Sequence, residues 1–335
     1  MNAINKELQL KRLSLKFKVS QIIAAAAGTL FLVTASAQSF PQKPITFIYP
    51  YLAGSNAEAF WRFVLPEVSK SLGQPVLIEN RAGAGGKIGL QQVMRAANDG
   101  YTVGMLNQAL GAILPAVDPD FRIEIDKDYT PISSGYEGNQ AIGAHPSVQF
   151  RDLPGLLKYA KANPGKLNFG STGNGSGAHL CFELLMKSTG IKLTHIPYKG
   201  QAQVITDLLA GQIQLGCSTD FVKQLSDKGP LVGIVTTGAQ RWNVLPHLPT
   251  LREMGVPVES IVWQGLIGPA GIKRDIVQKL NGAMQAAQQK KDIQGKVESI
   301  GLSMRSTSPE EFRTFVVSEF KVLGDIARSA NITLQ

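Results

Sequence analysis

The sequence predicts an α/β fold of two lobes, each with a mixed, mostly parallel sheet. Three observations lead there. Strand patterns alternate with helix patterns along most of the chain, which implies largely parallel pairing. Two strand–loop–helix junctions are rich in glycine and serine and lie about 120 residues apart. The mature length of about 300 residues suits two domains or one large α/β unit. Ligands bind at strand ends in open α/β sheets, so the two junctions suggest two lobes facing one ligand.

Residues 1–37 read as a cleavable export signal. Lys11, Arg12, Lys16 and Lys18 form a basic segment, Ile22 to Val33 is an apolar run, and Ala35-Ser-Ala37 is a small-residue cleavage site before Gln38. No later stretch reaches the ~18 apolar residues of a transmembrane helix. The formal charge of the whole chain is +9, and residues 1–37 contribute five Lys/Arg and one Glu, so the mature part carries +5. It has no basic run, which excludes nucleic acid as a partner, while a mild positive balance suits a small anionic ligand. The composition is 44% apolar, enough for a full core without disulfides. Export permits a bridge between the two cysteines, Cys181 and Cys217, but two separate buried thiols are the favoured reading.

Ile45 to Tyr49 reads as a strand, followed by a turn through Tyr51, Ala53, Gly54 and Ser55. A helix over Ala57 to Leu72 follows, with Phe60, Val64, Val68 and Leu72 at helical spacing. Ser55 and Glu58 fit a capping box, with the Glu58 side chain turned back onto the Ser55 N–H. Pro75 to Asn80 is a second strand, and Tyr101 to Leu106 a third, ending at Asn107 and Gln108, which either line a cleft or lie on the surface. The glycine-rich stretch Arg81 to Gly89 fails the phosphate-loop pattern, because Arg81 and Ile88 stand at its defining positions.

The second junction is the more informative. A strand ending at Gly170 enters Ser171-Thr-Gly-Asn-Gly-Ser176 and then a helix from His179 to Ser188. Thr172 and Gly175 belong to this loop. Glycines let a ligand approach the backbone, the serines add hydroxyls, and a helix N-terminus adds unpaired N–H groups with partial positive charge. Together these make a cradle for a carboxylate or phosphate. A further strand ends at Tyr198 and Lys199; Lys199 either supplies charge to an anion or is simply solvated. Later strands cover Ile213 to Ser218, Leu231 to Thr236 and Ser260 to Ile267. The amphipathic helices Ile276 to Gln289 and Pro309 to Leu323 are expected to return to the first lobe, since a lone helical tail leaves its apolar stripe uncovered.

No catalytic or metal pattern stands out. The four histidines do not pair at zinc spacing. Asn174 stands where a nucleophile elbow around Ser176 needs glycine, though a periplasmic serine hydrolase using Ser171 or Ser176 with a histidine remains the alternative. The loose dinucleotide pattern at Gly173 to Ala178 lacks its acidic partner, and no cofactor is expected. His179 either donates to a ligand or packs and caps.

Several of these motifs together resemble the Bug (TctC-like) substrate-binding proteins of tripartite tricarboxylate transporters. They are Pro50-Tyr-Leu-Ala-Gly54, Gly73-Gln-Pro-Val with Glu79-Asn-Arg-Ala-Gly-Ala-Gly-Gly86, Asp99-Gly-Tyr-Thr102, the loop from Gly170 to Ser176, and His195-Ile-Pro-Tyr-Lys-Gly200. The resemblance spans nearly the whole mature chain. It implies a periplasmic, two-lobed venus-flytrap fold of type II-like topology, a small carboxylate ligand, membrane permease subunits as partners, and a monomer. Lobe 1 is then residues 38–140 plus 258–335, and lobe 2 residues 141–257. It puts ligand contact on Ala53, Gly54, Ser55 and Glu58 in one lobe and on Ser171, Gly175, Ser176 and His179 in the other; Tyr51, Asn107, Thr172 and Tyr198 adjoin them. The chain departs from the family pattern in three places. Ser55 follows Gly54, Pro66 interrupts the first helix, and Ser218 replaces the usual aspartate, with Asp220 two residues on. Ser218 and Asp220 therefore count as candidate contacts, and the ligand is expected to differ from the commoner dicarboxylates.

Overall fold

The structure, a computed structural model, describes residues 40–329; the expected export signal at 1–37 lies outside the described residues. Strand β1 (Ile45–Tyr49) leads through a short loop into helix α1 (Asn56–Leu72). Ser55 caps α1 by accepting from the Glu58 N–H at 3.1 Å, and Gly73, with φ of 70°, closes it. The helix continues through Pro66 instead of breaking there. Phe60, Trp61, Val64, Leu65 and Val68 are all buried along it, and that packing outweighs the one backbone bond that proline removes.

β2 (Val76–Asn80), α2 (Lys87–Met94) and β3 (Thr102–Asn107) follow. A π turn (Ala109–Ile113) runs into the short helix α3 (Leu114–Val117), and then comes β4 (Tyr129–Asn139). After Gln140 the chain forms β5 (Ala141–Ala144), α4 (Leu153–Ala162), β6 (Asn168–Ser171) and α5 (Gly177–Thr189). Next are β7 (Thr194–Pro197), α6 (Gln201–Leu209), β8 (Leu215–Ser218) and β9 (Val232–Thr236). The chain closes with β10 (Ile261–Pro269), α7 (Arg274–Gln288), α8 (Lys291–Ser299), β11 (Leu302–Met304) and α9 (Pro309–Ser329).

The strands form two mixed sheets, in the orders β11-β4-β10-β3-β1-β2 and β7-β6-β8-β5-β9. Antiparallel pairing takes a larger share than expected. In the first sheet β1 pairs in parallel with β2 and β3, but β10 runs antiparallel to β3 and β4, and β11 to β4. In the second, β6 is parallel to β7 and β8, and β5 is antiparallel to β8 and β9. The antiparallel strands β4, β5, β9 and β10 are those next to the passages between sheets. A chain that enters a sheet from its neighbour arrives without the helical crossover that parallel pairing requires.

The chain changes sheet at Gln140 and again between Thr236 and Ile261. The two passages are bonded to each other. Gln140 N donates to Thr237 Oγ1 at 3.1 Å, Thr237 N to the Gln140 carbonyl at 2.9 Å, and Ser260 N to the Thr237 carbonyl at 2.9 Å. Gln140, Thr237 and Ser260 are all buried, so this knot of short polar bonds is shielded from water. The C-terminal helices return to the first sheet: Asn281 Nδ2 donates to the Ile132 carbonyl of β4 at 2.9 Å, and Phe312 packs edge-on to Trp263 of β10.

Cys181 and Cys217 form a disulfide, correcting the expectation of two separate thiols. Cys181 lies one turn into α5 and Cys217 near the end of β8, with Cα atoms 6.8 Å apart. Their spacing of 36 residues gave no sign of this, because it is the packing of α5 over β8 that brings them together.

Candidate functional site

A cavity of about 150 Å³ lies between the ends of β1, β3 and β10 on one side and of β6, β7 and β8 on the other. That is roughly ten times the space one buried water needs, which suits a small organic molecule.

The first-lobe wall carries phenols and amides. Tyr49 Oη lies 3.3 Å from Ser55 Oγ. Tyr51 Oη accepts from Asn107 Nδ2 at 3.0 Å. Burial pushes Tyr51 up to about 12 and raises Tyr49 and Tyr136 as well, so all three stay protonated and can donate. Gln264 accepts from Trp61 Nε1 at 2.7 Å, and Gln108 from the Trp263 N–H at 3.2 Å. Ser55, Tyr51 and Asn107, all read from the sequence, reach this wall.

Ala53, Gly54 and Glu58 do not reach it. Glu58 is 2% exposed and turned away from the cavity, and its side chain reaches the N–H of Gly54, at 2.7 Å, instead of that of Ser55. Its other oxygen accepts from Arg62 Nη2 at 2.6 Å and Asn80 Nδ2 at 3.3 Å. Glu58, expected as a ligand contact, is thus a brace for the loop, already paired with a cation.

The second-lobe wall is built from three turns. In the β6–α5 loop, Thr172, Ser176 and the first residues of α5 face the cavity. Ser176 caps α5 by accepting from His179 N at 3.4 Å, which leaves its hydroxyl proton available to a ligand. The N–H groups of Gly177 and Ala178 have no intrahelical carbonyl to reach. A side chain at 177 would strike Val262 and Gln108 at under 3 Å, so glycine is what lets α5 approach the opposite lobe. Gly175, with φ of 75°, turns the loop behind this point.

The N-terminus of α6 also faces the cavity, through Lys199, Gly200 and Gln201. It has no side-chain cap, and the buried Gln201 Nε2 has no hydrogen-bond partner. Lys199 is exposed at this edge and is the cationic residue on the wall. The third turn follows β8, where Ser218 Oγ accepts from Asp220 N at 3.0 Å. Asp220 reaches across to the first lobe: its Oδ1 accepts from Asn56 N, the first residue of α1, at 3.0 Å. Burial raises its carboxyl to about 6, against the bond from Asn56.

Ser171, Gly175, His179 and Tyr198 stand behind the wall instead of on it. His179 Nδ1 accepts from Gly175 N at 3.0 Å, so this histidine fixes the loop from behind. Its ring stacks on His195 with centroids 4.1 Å apart. Ser171 is fully buried, and its Oγ lies 2.6 Å from His195 Nε2 and accepts from Gly173 N at 3.1 Å. The pair has the spacing of a nucleophile and base, but the hydroxyl is sealed from the cavity. Burial and the neighbouring His179 lower His195 to about 4. Tyr198 donates to Asp207 at 2.9 Å, away from the cavity. Among the described residues no cluster could hold a metal ion.

Two α/β lobes meeting over one polar cavity, with helix N-termini aimed into it, define a two-lobed solute-binding receptor. The chain belongs to the tripartite tricarboxylate transporter family receptors, whose family model matches residues 60–332. Solved structures agree over most of its length. The periplasmic binding protein BugD is 28% identical with a TM-score of 0.82, covering 88% of this chain and 100% of its own. A Rhodopseudomonas palustris protein with adipate is 28% identical with a TM-score of 0.83, covering 89% and 100%. MatC from the same organism, with bound malate, is 28% identical with a TM-score of 0.80, covering 86% and 100%.

Proposed function

We propose that this receptor is periplasmic, binds a small carboxylate without transforming it, and delivers it to the permease subunits of a tripartite tricarboxylate-type transporter. It does so as a monomer whose lobes divide near residues 140 and 257, after export by the segment 1–37. The observation that carries this reading is the convergence of α5 and α6 N-termini on one cavity, joined by the Ser176 hydroxyl and the unpartnered Gln201 amide. Such donors suit an anion that needs no guanidinium clamp, and no arginine lines the cavity among the described residues. The neighbours carrying adipate and malate support the ligand class. The α1 N-terminus contributes less than the sequence suggests, because Asp220 already occupies the Asn56 N–H.

Native mass spectrometry of protein purified without denaturation should reveal a co-purified small acid. With that acid, Ser176→Ala is expected to weaken binding about tenfold, the loss of one charge-assisted hydrogen bond. Calorimetry showing unchanged affinity would remove the β6–α5 loop from the binding site.

A further inference from the structure

Asp220 is an anion placed inside a site otherwise built for anions. Its Oδ1 is held by the Asn56 N–H at 3.0 Å and lies 3.5 Å from Thr219 Oγ1. Oδ2 has no partner among the described residues, and no lysine, arginine or histidine there forms an ion pair with this carboxylate. Both Asp220 and Ser218 line the cavity.

The groups facing Asp220 are donors, and neutral. Tyr49 and Tyr136, each 1% exposed, lie within electrostatic reach of it from β1 and β4. Tyr136 also lines the cavity, and its hydroxyl makes no hydrogen bond to any described residue. A phenol that opens onto the cavity without a protein partner is free to pair with a ligand. The same cavity wall carries donors suited to a carboxylate, at Ser176, Gln201 and Lys199. The cavity therefore offers both donors to an anion and an unpaired carboxylate oxygen.

We propose that Asp220 is a specificity-determining residue, and that it selects a monocarboxylate bearing a hydroxyl or ammonium group over a dicarboxylate of the same length. This rests on the carboxylate reading above. A hydroxyl or ammonium donates to Asp220 Oδ2, and a hydroxyl can also pair with the Tyr136 phenol. A second carboxylate there meets a like charge, so one of the two must take up a proton before both fit.

The test is calorimetry on the mature chain at pH 7.5 with two matched series. One is succinate, 4-hydroxybutyrate and 4-aminobutyrate; the other is adipate, 6-hydroxyhexanoate and 6-aminohexanoate. In the series that fits the cavity, the hydroxy or amino acid is expected to bind at least about tenfold tighter than the dicarboxylate, the cost of one uncompensated charge contact. Asp220→Asn should bring the two within about threefold, mainly by raising dicarboxylate affinity. A dicarboxylate that binds wild type as tightly as its partners overturns the proposal while leaving the carboxylate reading intact, and so does a preference that survives in Asp220→Asn. If the variant does not fold, the wild-type ranking decides alone. Failure of all six acids to bind sinks the carboxylate reading and the proposal with it.

Discussion

Glu58 sits at the centre of the first loop without touching the cavity. Its carboxylate joins Gly54 on the loop to Arg62 on α1 and Asn80 on β2. Glu58→Ala removes the acceptor of the Gly54 N–H and of the half-exposed Arg62 guanidinium, and it should cost about 1 kcal/mol in denaturant unfolding. Glu58→Gln keeps an acceptor for Gly54 and should cost less. The sequence shows that Ser55 and Glu58 belong to a capping arrangement, since residue type and spacing suffice for that. Which N–H the carboxylate meets depends on Arg62 and Asn80 drawing its other oxygen outward, and this spacing alone does not reveal. The same holds for His179, whose place at the start of α5 is readable but whose aim toward Gly175 is not.

At the scale of elements, the disulfide ties the helix that carries Ser176 to the strand that ends at Ser218. Its 36-residue spacing gives about 4 kcal/mol of loop-closure stabilisation in the chain-entropy model. The double variant Cys181→Ser, Cys217→Ser should lose a few kcal/mol in urea titration, and reducing agent should do the same to wild type while leaving the variant unmoved. The loops around Ser55 and Ser176 are legible because glycine, serine and a following helix pattern coincide there. The start of α6 at Gln201 is legible too, but its place on the cavity is not, because Gly200 stands at the cap and no side chain marks the turn as a site. Tyr136, Gln140 and Gln264 are equally silent. They lie within strands or between them, and they meet the cavity only because β10 inserts between β3 and β4.

For the whole molecule, Asp220 and Asn56 hold one lobe to the other directly, through two bonds that span the cleft. Asn56 N donates to Asp220 Oδ1, and Asn56 Nδ2 to the Thr219 carbonyl at 3.5 Å. Ligand adds to these contacts only where it bridges both walls, and it shifts the population of the closed form by that differential affinity. Small-angle scattering should show a smaller radius of gyration with saturating ligand. A radius that ligand leaves unchanged would count against closure as the response to binding. If the lobes part, the chain must turn at the two passages between sheets, which are bonded to each other through Gln140 and Thr237.

An axis there gives the molecule a short lever and a long one. Gln140 is both on the pivot and on the cavity wall, so a reporter nearby hardly moves when the lobes part. Leu52 also lines the cavity, 54% exposed, and a Cβ at Gly200 on the opposite lobe would lie 3.8 Å from it. A solvent-sensitive dye attached at position 52 would pass from a neighbour's shadow into bulk water over a small rotation. That position thus offers the optical readout for a biosensor of whatever acid the protein carries.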